Sequence, residues 1–417
     1  MSSRSILRSL GPGLLFAGAA VGVSHLVQST RAGADFGFGL LWALLLANFL
    51  KYPFFQFGPR YAAATGETLL DGYKKLGKET LIAYYGVSFI TMFIVQAAVT
   101  IVTAGLAVNL FGPFLTKATG LIINMETWSL IITILSITIL IMGRYKLLDK
   151  MMKFIIILLT ICTIFAVGVA LNKTTETFNF SQVLPNGKIE ILFLIAFLGW
   201  MPAPLDISVW QSIWSLEKEK TTLKKITPKQ AIFDFNVGYV GTIFLAICFV
   251  ILGALVMHNS GQTFSNSGGI FAGQLIELYT ANLGQSAYYF IAIAAFTTMF
   301  STTITTLDAS PRTMSIASNL LTNKKTVLNY WFWIIILGIG TYIILRYFRE
   351  NMGLMVKIAT VLSFLTAPFY AILNYILITG KHTPEEHRPN IYMKTLSISG
   401  IVFLIGFSIW FIVSQFI

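Results

Sequence analysis

Runs of about 20 mostly apolar residues recur along the chain, separated by short polar stretches. A run of that length, wound as an α-helix, spans the roughly 30 Å hydrocarbon layer of a bilayer. The pattern predicts eleven spans, at about residues 10–35, 37–61, 81–111, 128–143, 147–171, 189–214, 231–257, 287–307, 327–347, 353–379 and 391–417. Most connections are short, so residues 1–417 read as a single transmembrane unit with no separate soluble domain. One connection is longer. Residues 258–286 begin polar (HNSGQTFSNSGG) and continue as IFAGQLIELYTANLG, which predicts a helix on the outer surface. The start, MSSRSILRSLGPGLLFAGAAVGV, resembles a signal peptide. Its apolar stretch is Gly-rich and runs into a polar patch, so it is read as a retained first span.

Composition narrows the class. Hydrophobic residues make up 56% of the 417 and charged residues 11%, and Phe (34) outnumbers Asp and Glu together (17). A soluble domain of this size carries more than twice that charge. A soluble enzyme, a disordered chain, a fibrous repeat and a disulfide scaffold are therefore excluded. Cys162 and Cys248 lie inside apolar runs and read as filler. The net charge of +12 has a topological explanation. With the N-terminus placed in the cytoplasm, Lys and Arg fall on the cytoplasmic side by about three to one, and residues 258–286 carry none. This predicts a multi-pass inner-membrane protein, N-terminus cytoplasmic and C-terminus outside, and it removes the case for a nucleic-acid partner. No His/Glu metal motif and no Ser or Cys paired with a base is spaced for catalysis, so neither an enzyme nor a cofactor is expected.

Two spans carry polar residues and helix breakers at mid-length. The first reads AAVGVSHLVQSTRAG. The sixth reads FLGWMPAPLDISVWQS, in which Pro202 and Pro204 remove backbone donors. Carbonyls freed inside lipid are costly unless they line a cavity or meet partners. Two such breaks five spans apart point to inverted repeats with a binding site between them. Two kinked helices without a ligand are the plainer reading.

At these residues the chain resembles the Nramp family of proton-coupled divalent-metal transporters. The resemblance rests on Gly11-Pro12, on Phe36, Gly37, Leu40, Leu41 and Trp42, on Ala64-Thr65-Gly66, on Asn109 to Gly112, and on Ser301 to Thr305. It covers nearly the whole chain. It implies an all-α, leucine-transporter-like fold: two inverted five-helix repeats (about 10–171 and 189–379) and an eleventh helix (about 391–417), with the first and sixth helices broken. It also implies secondary transport of a metal or small cation by alternating access. The family's first-span Asp-Pro-Gly-Asn falls on Gly22, Val23, Ser24 and His25. Its sixth-span Met-Pro-His falls on Ala203, Pro204 and Leu205, with Trp200 at the family's small position; a shifted register would place Met-Pro on Met201-Pro202. The third-span carboxylates fall on Gln96 and Val99, and the tenth-span Gln on Thr366.

The candidate substrate-binding residues are thus Gly22, Ser24, His25, Trp200, Ala203, Asp206 and Thr366. His25 and Asp206 are the remaining candidate metal donors, and two side chains make a poor cage for Mn²⁺ or Fe²⁺. Each has a structural alternative, His25 as a hydrogen-bonded histidine at the break and Asp206 as a cap on the outgoing half-helix. Trp200 either fills the metal cavity or forms a wall for an organic ligand. Lys51 could balance Asp206, attract an anion or reach the interface. Gln96, Lys51 and Arg31 are coupling or gating candidates, Arg31 at the outer mouth. The expected partners are the lipid bilayer, a small solute or ion, and a coupling proton or sodium ion. A small organic or anionic solute is the alternative to a metal, and a sensor that keeps the fold without transport is a further one.

Overall fold

The backbone groups of a lipid-buried chain must bond within their own segment, and the helix is the element that allows it. A computed structural model describes residues 11–173, 178–258, 264–265, 267–284, 288–323, 328–348 and 351–416. Among these residues the regular structure is helical, with fourteen α-helices. In chain order they are α1 (Pro12–Ala20), α2 (Thr30–Phe36), α3 (Leu41–Thr65), α4 (Leu69–Leu76), α5 (Lys78–Thr119), α6 (Met125–Lys173) and α7 (Lys188–Trp200). They continue with α8 (Ile207–Thr222), α9 (Pro228–Val256), α10 (Gly268–Leu283), α11 (Tyr288–Thr322), α12 (Tyr330–Phe348), α13 (Met352–Thr379) and α14 (Ile391–Phe416).

Both predicted interruptions are present. The first span is α1, a two-residue break at Val21 and Gly22, a π-helical stretch Val23–Ser29, and then α2. The sixth is α7 and α8, separated by residues 201–206, where the Met201–Pro202 peptide is cis. Among the described residues, nine helical segments are long and apolar enough to cross a membrane. The two remaining predicted spans fall short for local reasons. In α3, Asn48, Lys51, Gln56 and Arg60 lower the apolarity, and α7 and α8 are each too short alone (13 and 16 residues).

The predicted fourth and fifth spans are joined in one continuous helix, α6. Its 49 residues correspond to about 74 Å, length for two crossings, and it holds two candidate spans, Met125–Met142 and Phe154–Lys173. The predicted outer surface helix is α10. It is more than a surface element, since Phe271, Ala272, Leu275 and Ile276 are buried against α5 and its neighbours. The apolar face of that segment repeats at helical spacing, and burial follows from it.

Backbones approach closely along the first broken span. A Cβ at Gly13 would lie 2.0 Å from the carbonyl oxygen of Asp234, and one at Gly238 would lie 2.0 Å from that of Gly13. The same interlock recurs beyond the break, where a Cβ at Gly33 would meet Val250 O at 2.1 Å and one at Gly253 would meet Thr30 O at 2.1 Å. Small residues at such seams let helices pack by van der Waals contact where lipid supplies no hydrophobic drive. Beside the seam Phe16, Phe55, Phe235 and Tyr239 form one aromatic cluster, with Phe16 and Tyr239 stacked at 5.7 Å. Facing outward are Phe49, Val240, Ile293 and Val402, an apolar exterior suited to acyl chains.

Gly238→Val should force α1 from α9. Overpacking of this kind costs about 1–3 kcal/mol, so the detergent-solubilised protein should melt several degrees lower, whereas Gly241→Val, which meets nothing, should melt as wild type.

Candidate functional site

The two breaks face each other. A cavity of about 20 Å³ lies between them, lined by Ser24 and Ala20 from the first break, Trp200, Ala203 and Pro204 from the second, and Thr302 from α11, among others. That is space for little more than one water. Its walls are mostly apolar: Ala19, Val23, Val95, Val99, Ile207 and Trp210 complete much of the lining. Gly22 is required here by close approach, since a Cβ would meet Thr302 Oγ1 at 2.6 Å.

His25 is turned away from this cavity. It is fully buried, its Nε2 lies 2.9 Å from the Thr242 carbonyl in α9, and its Nδ1 lies 2.6 Å from Ser24 Oγ and 3.1 Å from Ala20 O. Ser24 Oγ also donates to Ala20 O. The imidazole thus has partners at both nitrogens and ties the break to α9. Ala20 O, freed from its helical partner by the break, accepts from the Ser24 hydroxyl and from Gly22 N (2.9 Å).

The second break is secured differently. Lys51 is fully buried in α3, and its ammonium donates to Leu198 O (2.5 Å), Gly199 O (3.0 Å) and Met201 O (3.1 Å). An ammonium has three donors. Here all three serve carbonyls at the C-terminal end of α7, where the helix dipole is negative. Lys51 neither reaches the interface nor lines the cavity.

Trp200 lines the cavity with its ring, and its Nε1 donates to Ser363 Oγ at 2.7 Å. Asp206 and Thr366 lie outside this cavity and line a second, smaller one. Asp206 stands at the cap position of α8 but makes no side-chain cap bond, and its buried Oδ1 has no hydrogen-bond partner among the described residues. Gln96 is saturated between α5 and α11: its Oε1 accepts from Thr306 Oγ1 (2.6 Å), and its Nε2 donates to Thr100 Oγ1 (3.2 Å) and Thr303 O (3.3 Å). Arg31 is half-buried in α2, and its Nε has no hydrogen-bond partner among the described residues. The candidates therefore divide: Ser24, Trp200 and Ala203 share one cavity, Asp206 and Thr366 another, and His25, Gln96 and Lys51 bind structure around them. No group of three or more His, Cys, Asp or Glu capable of holding a metal exists among the described residues.

Sequence reading passed over one partner. Asp234 in α9 accepts from Gly11 N (2.9 Å) and Gly13 N (2.8 Å), capping the N-terminus of α1 from another helix. A carboxylate inside an apolar run was the available signal.

The Nramp family model, described as natural resistance-associated macrophage protein-like, matches residues 13–414. The chain belongs to the Nramp family. An uncharacterised protein of Pasteurella multocida (strain Pm70) is 37% identical over 413 residues, covering 98% of this chain and 92% of that protein. Among solved structures, a mutant of the Eremococcus coleocola manganese transporter aligns with a TM-score of 0.74 at 12% identity, covering 99% of this chain and 86% of that one. MhsT in complex with L-phenylalanine aligns with a TM-score of 0.64 at 13% identity, covering 95% of this chain and 98% of that one. Mhp1, a nucleobase-cation-symport-1 family transporter, aligns at 0.61 and 13%, covering 96% and 92%. The fold is therefore leucine-transporter-like, and this Nramp-family protein is a multi-pass secondary active transporter.

Lys51→Met would strand three carbonyls in a dry interior. Each buried unsatisfied group costs about 1–3 kcal/mol, so this variant should lose far more thermal stability than Lys75→Met, which breaks a half-exposed pair with Glu67 worth at most ~1 kcal/mol.

Proposed function

We propose that this Nramp-family transporter carries a small organic solute rather than Mn²⁺ or Fe²⁺, bound between the broken first and sixth spans. The observation that supports this is the lining of the cavity at the breaks. Its polar groups are the hydroxyls of Ser24, Thr302 and Thr306, and its side chains include no carboxylate, imidazole or thioether. Transition-metal ions need several such donors. The Trp200 and Trp210 rings instead offer flat apolar surface that suits an organic ligand. The Lys51 amine donates to the Met201 carbonyl, two residues from Ala203, and so occupies a carbonyl that could otherwise serve a cation.

In this reading the small cavity is a closed state. Alternating access requires the repeat at about 10–171 to move against that at about 189–379, opening the cavity first to one side and then to the other. The positive-inside bias supports an inner-membrane location with the N-terminus in the cytoplasm. The transport role leaves no need for a catalytic group. Metal transport, the reading family membership favours, keeps one structural argument: Asp206 Oδ1 has no hydrogen-bond partner among the described residues and could take a cation.

Titration calorimetry of the purified protein with Mn²⁺, Mg²⁺ and Ca²⁺ separates the two. The expected result is no saturable heat. A thermal-shift panel of small organic acids and neutral amphiphiles should give hits, and Trp200→Ala should weaken them at least ~10-fold, about 1.4 kcal/mol. Saturable Mn²⁺ binding lost in both His25→Ala and Asp206→Ala would restore the metal reading.

A further inference from the structure

Asp206 lies between two small cavities that the solute site does not use. One, of about 10 Å³, is lined by Thr91, Ser363, Thr366 and Tyr370 among others; the second, also about 10 Å³, by Tyr84, Ser88, Thr91, Ser310 and Thr313 among others. Asp206 and Thr91 belong to both, so the two flank a single carboxylate and a single hydroxyl. Four helices meet there: α5, α8, α11 and α13.

Four of the hydroxyls around this carboxylate have spent their protons. Thr91 Oγ1 donates to Val87 O (3.0 Å), Thr313 Oγ1 to Ser310 O (2.7 Å), Ser363 Oγ to Ala359 O (2.8 Å) and Thr366 Oγ1 to Leu362 O (3.0 Å). A hydroxyl has one proton and two lone pairs. Once the proton is given to the backbone, the oxygen can only accept. One of the Ser363 lone pairs is already taken by Trp200 Nε1 (2.7 Å). The carboxylate thus shares its cavities with four acceptor oxygens, those of Thr91, Thr313, Ser363 and Thr366, while the Tyr370 phenol pairs with Ser88 Oγ (3.4 Å). No Lys, Arg or His forms a salt bridge with Asp206 among the described residues, and Lys51, which could have neutralised it, is committed to α7.

Acceptors facing a carboxylate repel one another until a cation sits among them. A hard oxygen set suits an alkali or alkaline-earth ion. One carboxylate balances one positive charge, which favours the monovalent ion. The space is at the lower limit for a single water, so the ion enters stripped of its hydration shell and takes the protein oxygens in its place. A proton would fill the role less well, because a neutral carboxyl donates one hydrogen bond and leaves the other acceptors unserved.

We propose that Asp206, with Thr91 and the neighbouring hydroxyl oxygens of α11 and α13, forms a sodium site beside the solute cavity, and that Na⁺ is the coupling ion of this transporter. The site adjoins the solute cavity through Val95 and Pro204, which line both. Ion occupancy is thereby placed against the same break that shapes the solute site. The assignment does not depend on which solute that cavity takes.

The test is thermal unfolding of the full-length protein in detergent, titrated with NaCl against choline chloride at equal ionic strength, with no solute added. Na⁺ should raise the melting temperature by about 3 °C or more at saturation. K⁺ should do less. Asp206→Asn should abolish the response, and Thr91→Val should raise the half-saturating Na⁺ concentration at least ~10-fold. Equal melting of wild type in Na⁺ and choline overturns the proposal, as does a Na⁺ response retained in Asp206→Asn. Stabilisation by acid alone, without a sodium response, overturns it in favour of a proton. Should Asp206→Asn not fold, an unchanged half-saturation in Thr91→Val overturns it equally. These readouts are independent of the organic-ligand screen, so either reading can fail alone.

Discussion

A helix broken inside a membrane frees carbonyls that no water can reach, and the architecture of this protein follows from how they are satisfied. At the sixth-span break the answer is the Lys51 ammonium, with three N–H groups for three carbonyls. At the first it is the Ser24 hydroxyl, which donates to Ala20 O, with the His25 imidazole tying the break to the Thr242 carbonyl of α9. Unpaired, such groups cost about 1–3 kcal/mol each, so a bare break would not persist. The polar residues near the breaks therefore divide their labour. Some hold the backbone open, and only the remainder can meet a ligand.

That division explains why several positions of the family's metal-binding pattern are occupied here by residues that bind structure. His25 stands where the family places a metal-binding residue, yet both its nitrogens have partners within the protein, and one of them reaches α9. Gln96 stands where the family has a carboxylate, and its amide is bonded to Thr306, Thr100 and Thr303. A neutral, saturated amide cannot release or carry a proton. Asp206 is the opposite case: a carboxylate that does not cap its own helix and forms no salt bridge among the described residues.

Much of the fold was legible in the sequence, because a bilayer demands long apolar runs and punishes exceptions. The two interruptions at Gly22 and at Pro202 to Pro204 stood out for that reason. The join between the fourth and fifth spans was not legible, since Gly143 to Lys146 read as a connection while the backbone continues as helix. The site was only partly legible. Ser24, Trp200 and Ala203 were placed on the two broken spans, but their sharing of one cavity, apart from Asp206, depends on helix rotation that spacing alone does not set. The partner of Lys51 was equally hidden, because backbone carbonyls leave no mark on a sequence. Hydroxyls such as Thr91 and Thr313 were invisible as a group, since they come from different helices and each looks like ordinary filler.

The glycine seam along α9 has a mechanical consequence. Gly13 with Gly238 and Gly33 with Gly253 fasten α9 to the chain on both sides of the first break. A fracture bridged by a rigid bar does not bend at the fracture; load passes through the bar. The interruption at Gly22 is splinted in this sense. If α1 swings, α9 must either travel with it or peel away from it, giving up a backbone-to-backbone contact at one end.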